Sequence, residues 1–261
     1  MVATTCAAGG RARFIGQVGD DATGRWLCEQ LVHDGAELAV RHMGRTGTVI
    51  ALVEPGGERT MLSDRATATE LTDPDPTWLD SLTTLHVPFY SLALEPLAGT
   101  TRTLARWAGE RGIGVSIDTS SSSVLLAMGV TVALDAMSAL SPSVVLANEL
   151  EAEVLGRELC PERLGGATIV IKRGPDPALI MRPGRPPIEI PGLVIDDVDD
   201  TTGAGDAFAA GLLFALENGH PIEEAVRRGH AVAARYLHSG RDEPQRGTTA
   251  TVGVARVGHH R

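Results

Sequence analysis

The sequence has few aromatic residues, few cysteines and no excess of positive charge. Aromatic residues make up only 3% of its 261 residues, so Val, Leu, Ile and Ala must fill any core. The formal net charge of −10 argues against binding to nucleic acid or to an anionic membrane, because both require basic patches. Cys6, Cys28 and Cys160 are scattered, so neither a disulfide framework nor a zinc site is expected. A reducing, cytoplasmic compartment fits this cysteine usage.

Long hydrophobic runs and the common nucleotide-binding motifs are also missing. The longest apolar run, residues 124–134, is interrupted by Gly129 and is too short to span a bilayer, so it predicts a buried helix. The first residues show no basic region followed by an apolar run, so no signal peptide is expected. No Gly-x-x-x-x-Gly-Lys-Ser/Thr loop is present, which argues against a P-loop kinase.

Two regions of different pattern are present instead. From about residue 80, short apolar strands alternate with helices, which predicts an α/β fold with a mostly parallel sheet and helices on both faces. Before that, residues 13–24 predict a strand and an Asp-capped helix that ends at Gly35. Two β-branched runs, residues 46–53 and 58–62, are joined by Glu-Pro-Gly-Gly and predict a β hairpin that stands off the main sheet.

The most informative segment is residues 199–208, Asp-Asp-Thr-Thr-Gly-Ala-Gly-Asp-Ala-Phe, which precedes an apolar helix pattern. The small residues Gly203, Ala204 and Gly205 allow a ligand to approach free amides at a helix N-terminus, which is an anion pocket. Asp206 would repel a bound anion, but a phosphoryl-transfer site requires a base for the attacking hydroxyl. Alternatively, Asp206 only complements the helix dipole and the glycines only form a tight turn. From these residues alone both interpretations stay open.

Residues 200–208 resemble, without a break, the C-terminal signature of the ribokinase-like (PfkB) carbohydrate kinases, which is close to Asp-Thr-Thr-Gly-Ala-Gly-Asp-x-Phe. The resemblance implies a ribokinase-like three-layer sandwich and ATP-dependent transfer of the γ-phosphoryl group to a sugar's primary hydroxyl. By this resemblance Gly203, Ala204, Gly205 and the Asp206 amide form the anion hole, and the Asp206 carboxylate is the base. Asp200 and Thr202 would lie beside a monovalent cation such as K⁺, in members that have one.

Other segments resemble the family's nucleotide side. Asn148 and Glu151 match an Asn-x-x-Glu motif, in which Glu151 would hold Mg²⁺ through water with support from Asn148. An ordinary helix-capping box predicts the same letters. Lys172 and Gly174 are similar to a loop that passes the nucleotide, where Lys172 would neutralise phosphate or would simply be a solvated lysine at a strand end. The resemblance places His230 on a helix near the adenine.

The front of the chain resembles the sugar side of the family, with Arg59 and Tyr90 as candidate substrate contacts. Residues 1–36 and 67–261 would form the core, and residues 37–66 a partial β lid, through which a homodimer is a further expectation. Members normally begin with a strand that carries a substrate-binding Asp, followed by a lid segment and a Gly-Gly-x-x-x-Asn motif. We expect this segment to be lacking, through a misplaced start codon or a truncated sequence, or because the protein is a degenerate kinase.

Acceptor choice is not determined by these motifs. A small-molecule sugar is the first expectation, and a nucleoside or a sugar acid handled by the same fold is the second. A nucleotide-binding descendant that has lost catalysis is the third, and it belongs to a different class of function.

Overall fold

Helices and strands alternate along the chain, and two long helices end the described part. The structure is a computed structural model that describes residues 1–53, 59–195 and 201–242. Its strands are β1 (Arg13–Val18), β2 (Glu37–His42), β3 (Thr48–Val53), β4 (Arg59–Asp64), β5 (Thr84–Pro88), β6 (Gly114–Asp118), β7 (Val144–Asn148), β8 (Thr168–Lys172), β9 (Ala178–Met181) and β10 (Ile188–Ile190). Its helices are α1 (Val2–Ala7), α2 (Ala22–His33), α3 (Leu97–Glu110), α4 (Ser122–Met128), α5 (Val130–Ser138), α6 (Glu149–Leu155), α7 (Ala204–Glu217) and α8 (Ile222–Asp242).

A six-stranded sheet with the order β10-β9-β8-β7-β6-β5 forms the centre of the fold. The strands from β5 to β8 are parallel, whereas β9 pairs antiparallel with β8 and β10 antiparallel with β9. The expected mostly parallel sheet is therefore confirmed. The two antiparallel strands at its edge are short, and no sequence pattern predicted them.

The two faces of the sheet carry two separate apolar clusters, because successive side chains of a strand point to opposite faces. On one face, Val115, Val145 and Ile169 pack with side chains of α3, α4, α5 and α6. On the other face, Leu146 and Val170 pack against α7 and α8. Helices thus cover both faces, which gives the expected three layers.

The apolar run 124–134 does not form one helix, so that prediction was wrong. Gly129 has φ of 86° and ψ of 135°, a conformation that glycine adopts readily and that interrupts the helix. The chain therefore forms α4 and α5 on either side of Gly129. Leu126 and Val132 are 63% and 57% exposed, so the run is also only partly buried.

The front of the chain forms two smaller sheets. β1 and β2 pair in parallel, and the Arg13 guanidinium connects this pair to the core by donating to the carbonyls of Trp78 (2.9 Å) and Asp80 (3.0 Å). β3 and β4 form the predicted antiparallel hairpin, although its turn lies outside the described residues. Residues 37–42 therefore pair with β1 and not with the hairpin. The division into core and lid stays a prediction.

Nothing among the described helices has the length and apolar character needed to cross a membrane.

Candidate active site

Three polar residues end neighbouring strands at the same edge of the sheet. Asp118 is the last residue of β6, Asn148 of β7 and Lys172 of β8. Because these strands are parallel and adjacent, the three side chains lie at the carboxyl edge, where ligands of α/β sheets bind. The sequence therefore brings together residues that are up to 54 positions apart.

α7 begins at this edge with free backbone amides. Its N-cap residue Gly203 has φ of 84°, a left-handed conformation that favours glycine. The Ala204 amide donates to the Thr201 carbonyl at 3.1 Å. The Gly205 and Asp206 amides have no acceptor within the described part of the chain. They are the donors that this helix N-terminus offers to an anion.

Lys172 lies directly beside these amides. A Cβ atom placed on Gly205 would be 3.4 Å from the Lys172 Nζ atom, so glycine lets the ammonium approach the helix start closely. Lys172 Nζ also donates to Asp118 Oδ2 at 2.6 Å, and both side chains are largely buried, with 14% and 12% exposed. The structure thus favours a fixed lysine over the solvated alternative. Sequence reasoning missed Asp118, whose only signal was its place at the end of a predicted strand.

The Asp206 carboxylate stands at the open side of the same helix turn. Its side chain is 62% exposed, and Oδ2 lies 3.5 Å from the Met1 amino group. Asp206 therefore shares one turn with the free amides but faces an accessible space. This arrangement suits a base that meets a bound hydroxyl, and the assignment stays a prediction.

Tyr90 is electrostatically linked to Asp206. It lies in a single 3-10 turn after β5, and burial together with the negative charge of Asp206 raises its pKa, while Arg65 lowers it. The Arg65 guanidinium carbon lies 4.6 Å above the centre of the Tyr90 ring, a cation–π contact. Tyr90 and Arg65 thus lie against each other just beyond the carboxyl end of β5. The Arg59 side chain, the other predicted substrate contact, lies outside the described residues.

Asn148 and Glu151 form the capping box at the start of α6. The Asn148 side chain accepts from the Glu151 amide at 2.8 Å, and Glu151 Oε2 accepts from the Asn148 amide at 2.8 Å. The Thr119 hydroxyl also donates to Glu151 Oε2 at 2.5 Å, and Glu151 is only 3% exposed. The capping interpretation is therefore confirmed. It explains why a buried carboxylate is held just beyond the carboxyl end of β7.

The described residues suit a Mg²⁺ ion that keeps most of its coordinating waters. They contain no group of three His, Cys, Asp or Glu side chains that could hold a metal. Mg²⁺ commonly binds through one or two carboxylates, waters and substrate phosphates, so Glu151 acting through water is compatible with this donor set. Asp200, a candidate for the monovalent cation, lies outside the described residues, and Thr202 lies in the turn before Gly203. That site stays a prediction.

Gly174 and His230 lie in a turn and in a helix interface, respectively. Gly174, with φ of 58°, lies in the turn between β8 and β9. His230 is buried between α7 and α8, where its ring meets Phe208 edge-on at 5.1 Å. Burial lowers the His230 pKa, and Nε2 has no hydrogen-bond partner among the described residues. Nucleotide contacts by these two residues stay predictions.

A parallel α/β sheet whose carboxyl edge combines free helix amides, a lysine and an adjacent carboxylate is typical of an enzyme that transfers a phosphoryl group to a small alcohol. Comparison identifies the family. Residues 4–240 match the family described as pfkB family carbohydrate kinase, and the chain belongs to this family. Its relatives are named as kinases, which are phosphotransferases with an alcohol acceptor.

Relatives cover most of the chain. It is 30% identical over 238 residues to an uncharacterized sugar kinase of Archaeoglobus fulgidus, a match that covers 86% of this chain and 90% of that protein. It is 29% identical over 230 residues to a fructokinase of Klebsiella pneumoniae, covering 80% and 72% of the two chains. A shorter match, 40% over 75 residues, joins it to a 2-dehydro-3-deoxygluconokinase of Dickeya dadantii and covers 28% of this chain and 24% of that protein.

Solved structures confirm the ribokinase-like fold. The adenosine kinase of Sinorhizobium meliloti superimposes with a TM-score of 0.82 at 24% identity, covering 91% of this chain and 75% of that one. An Escherichia coli protein described as a putative ribokinase II, in complex with ATP and Mg²⁺, gives a TM-score of 0.76 at 21% identity, covering 89% of this chain and 79% of that one. At these identities the likeness shows the fold alone.

Proposed function

We propose that the protein transfers the γ-phosphoryl group of ATP to a primary hydroxyl of a sugar or a closely related acceptor. One observation carries this proposal: the first turn of α7 presents the free amides of Gly205 and Asp206 beside Lys172, and the same turn carries the exposed Asp206 carboxylate. An anion site alone would not place a carboxylate there, because like charges repel. Phosphoryl transfer requires both groups within one small space.

Each residue of the site has a separate proposed role in the reaction. The Gly205 and Asp206 amides and the Lys172 ammonium would bind the transferring group and stabilise the charge on its oxygens. The Asp206 carboxylate would accept the proton of the attacking hydroxyl. Glu151 would hold a water of the hydrated Mg²⁺, which neutralises phosphate charge when ATP is bound. Asp118 keeps Lys172 in place through their ion pair.

A second candidate acceptor, a sugar acid, is favoured by Arg65. Its guanidinium lies over the Tyr90 ring and pairs with none of the described carboxylates, so it is available to an anionic group of an acceptor. The match to a 2-dehydro-3-deoxygluconokinase supports this candidate, and the fructokinase supports a neutral sugar. A panel of neutral sugars, sugar acids and nucleosides decides between them by kcat/KM. The cytoplasmic location, the homodimer and the monovalent cation stay predictions.

The test of the proposed function is Asp206→Asn. We expect kcat to fall by roughly 10²- to 10⁴-fold, because the variant lacks the base. ATP·Mg²⁺ should still shift the thermal midpoint, because the backbone amides remain. Asp135→Asn on α5 is the matched control, since the Asp135 side chain is 61% exposed and that of Asp206 is 62% exposed. Wild-type kcat in Asp206→Asn, or an equal loss in the control, would exclude the base role.

A further inference from the structure

A histidine that the sequence analysis did not single out lies on the face of the sheet that α7 covers. His86 in β5 stands opposite Ser116 in β6. One ring nitrogen, Nδ1, lies 2.9 Å from the Ser116 hydroxyl. The flanking residues Leu85 and Val87 point to the opposite face and belong to the core cluster there. His86 is thus a polar residue between two apolar neighbours of the strand.

His86 belongs to a row of polar side chains that ends at the free amides. Ser116 and Asp118 are two residues apart in β6 and therefore share a face. Asp118 pairs with Lys172 at 2.6 Å, and Lys172 borders Gly205. The row crosses the sheet from its β5 edge to the first turn of α7. A buried row of this kind requires hydrogen bonds for each of its members, and Ser116 and Asp118 have them.

The remaining nitrogen of His86, Nε2, has no hydrogen-bond partner among the described residues, and the side chain is not fully buried. Burial lowers the pKa of His86 to about 4, although Asp118 and Asp206 act in the opposite direction. The ring is therefore neutral near pH 7, with one nitrogen that donates and one that accepts. The geometric link to the helix start is the shared sheet face: His86 lies opposite Ser116, and Asp118 on the same face pairs with Lys172, which borders Gly205.

We propose that His86 binds the acceptor: Ser116 fixes the imidazole through Nδ1, and Nε2 forms a hydrogen bond with an acceptor hydroxyl in front of Asp206. The inference rests on the proposed function and adds a specificity-determining residue to it. A neutral imidazole suits a hydroxyl, which can donate or accept. It also adds no positive or negative charge to the acceptor site.

Two substitutions separate this role from a structural one. His86→Asn keeps an amide near the position of Nδ1 and can still meet Ser116, but it lacks the Nε2 end. His86→Gln places its amide near Nε2 and loses the Ser116 contact. The probe is the member of the acceptor panel with the highest kcat/KM for the wild type. We expect His86→Asn to raise the acceptor KM about tenfold with the ATP KM unchanged, and His86→Gln to raise it much less.

The reverse order, with Asn near wild type and Gln impaired, would show that the ring serves only Ser116 and would overturn the inference. Unchanged acceptor KM in both variants would overturn it too. If both variants lose thermal stability, Ser116→Ala decides, because it keeps the imidazole and only frees it to rotate. A raised acceptor KM there supports the role, and an unchanged one contradicts it. If the wild type phosphorylated no member of the acceptor panel, the proposed function itself would fail, so the two failures are distinguishable.

Discussion

At the scale of single residues, the ion pair of Asp118 and Lys172 depends on both partners. It is 2.6 Å long and largely buried, so removing one charge leaves the other in a poorly solvated place. We expect Asp118→Asn to lower the free energy of unfolding by roughly 3 kcal/mol, measured by urea denaturation with tryptophan fluorescence. It should also raise the ATP KM, because Lys172 is no longer held beside Gly205.

The double variant Asp118→Leu with Lys172→Met is the control for this prediction. It removes both charges, so it should be more stable than Asp118→Asn while its turnover stays low. If the single variant unfolds with the wild-type free energy, the pair is not a buried interaction in solution.

The sequence predicted single residues well where a local motif contains them. Asp206, Lys172 and the Asn148–Glu151 pair were expected at the edge where they lie, because each follows a recognisable strand or opens a helix. Asp118 and His86 were not found. Their roles depend on β-sheet register and on contacts between strands that are distant in sequence. Neither can be read from the spacing of residues along the chain.

At the scale of elements, the N-terminus of α7 depends on a glycine at its cap. Gly203 has φ of 84°, and a Cβ atom there would lie 2.5 Å from the Tyr236 hydroxyl of α8. We expect Gly203→Ala to cost about 1–3 kcal/mol of stability and to raise the ATP KM, because the first turn must shift. Thermal denaturation and steady-state kinetics measure the two effects.

Adding Tyr236→Ala to the Gly203→Ala variant separates the effect of the steric contact with Tyr236 from the effect of backbone strain at residue 203. It removes the steric contact and leaves only the backbone strain, so the ATP KM should recover partly. A Gly203→Ala variant with wild-type stability and ATP KM would show that α7 does not begin in the conformation described.

Elements with a clear period were predicted, and elements without one were not. β5 to β8 were predicted from apolar runs, and the β3–β4 hairpin from its turn residues. The split at Gly129 was missed because an apolar run does not reveal the φ of one glycine. β2 and the short strands β9 and β10 were missed because their pairing partners, and not their own sequences, define them.

At the scale of the whole molecule, one carboxylate joins α2 to the base of the β3–β4 hairpin. Asp21 caps α2 by accepting from the Gly24 amide at 2.8 Å, and it accepts from the Thr46 amide and hydroxyl at 2.7 Å each. These hydrogen bonds lower the pKa of Asp21 to about 2, the backbone bond from Thr46 having the largest effect. Its ionised form therefore stabilises the contact between the two small sheets.

The free energy of unfolding of the whole chain should consequently decrease as the pH is lowered, in two separate pH ranges. A folded pKa below the unfolded one means that only the unfolded state takes up a proton between the two values, so stability is lost as the pH falls. For His86 this range runs from 6.5 down to about 4, and for Asp21 from 3.8 to about 2.

We expect the free energy of unfolding in urea to be up to about 3 kcal/mol lower at about pH 4.5 than at about pH 8. His86→Gln cannot titrate, so it should lose most of this difference but keep the decline below about pH 4. An identical pH profile in the variant would mean that His86 is not held neutral by burial, and the row of polar side chains that leads to α7 would then be solvated.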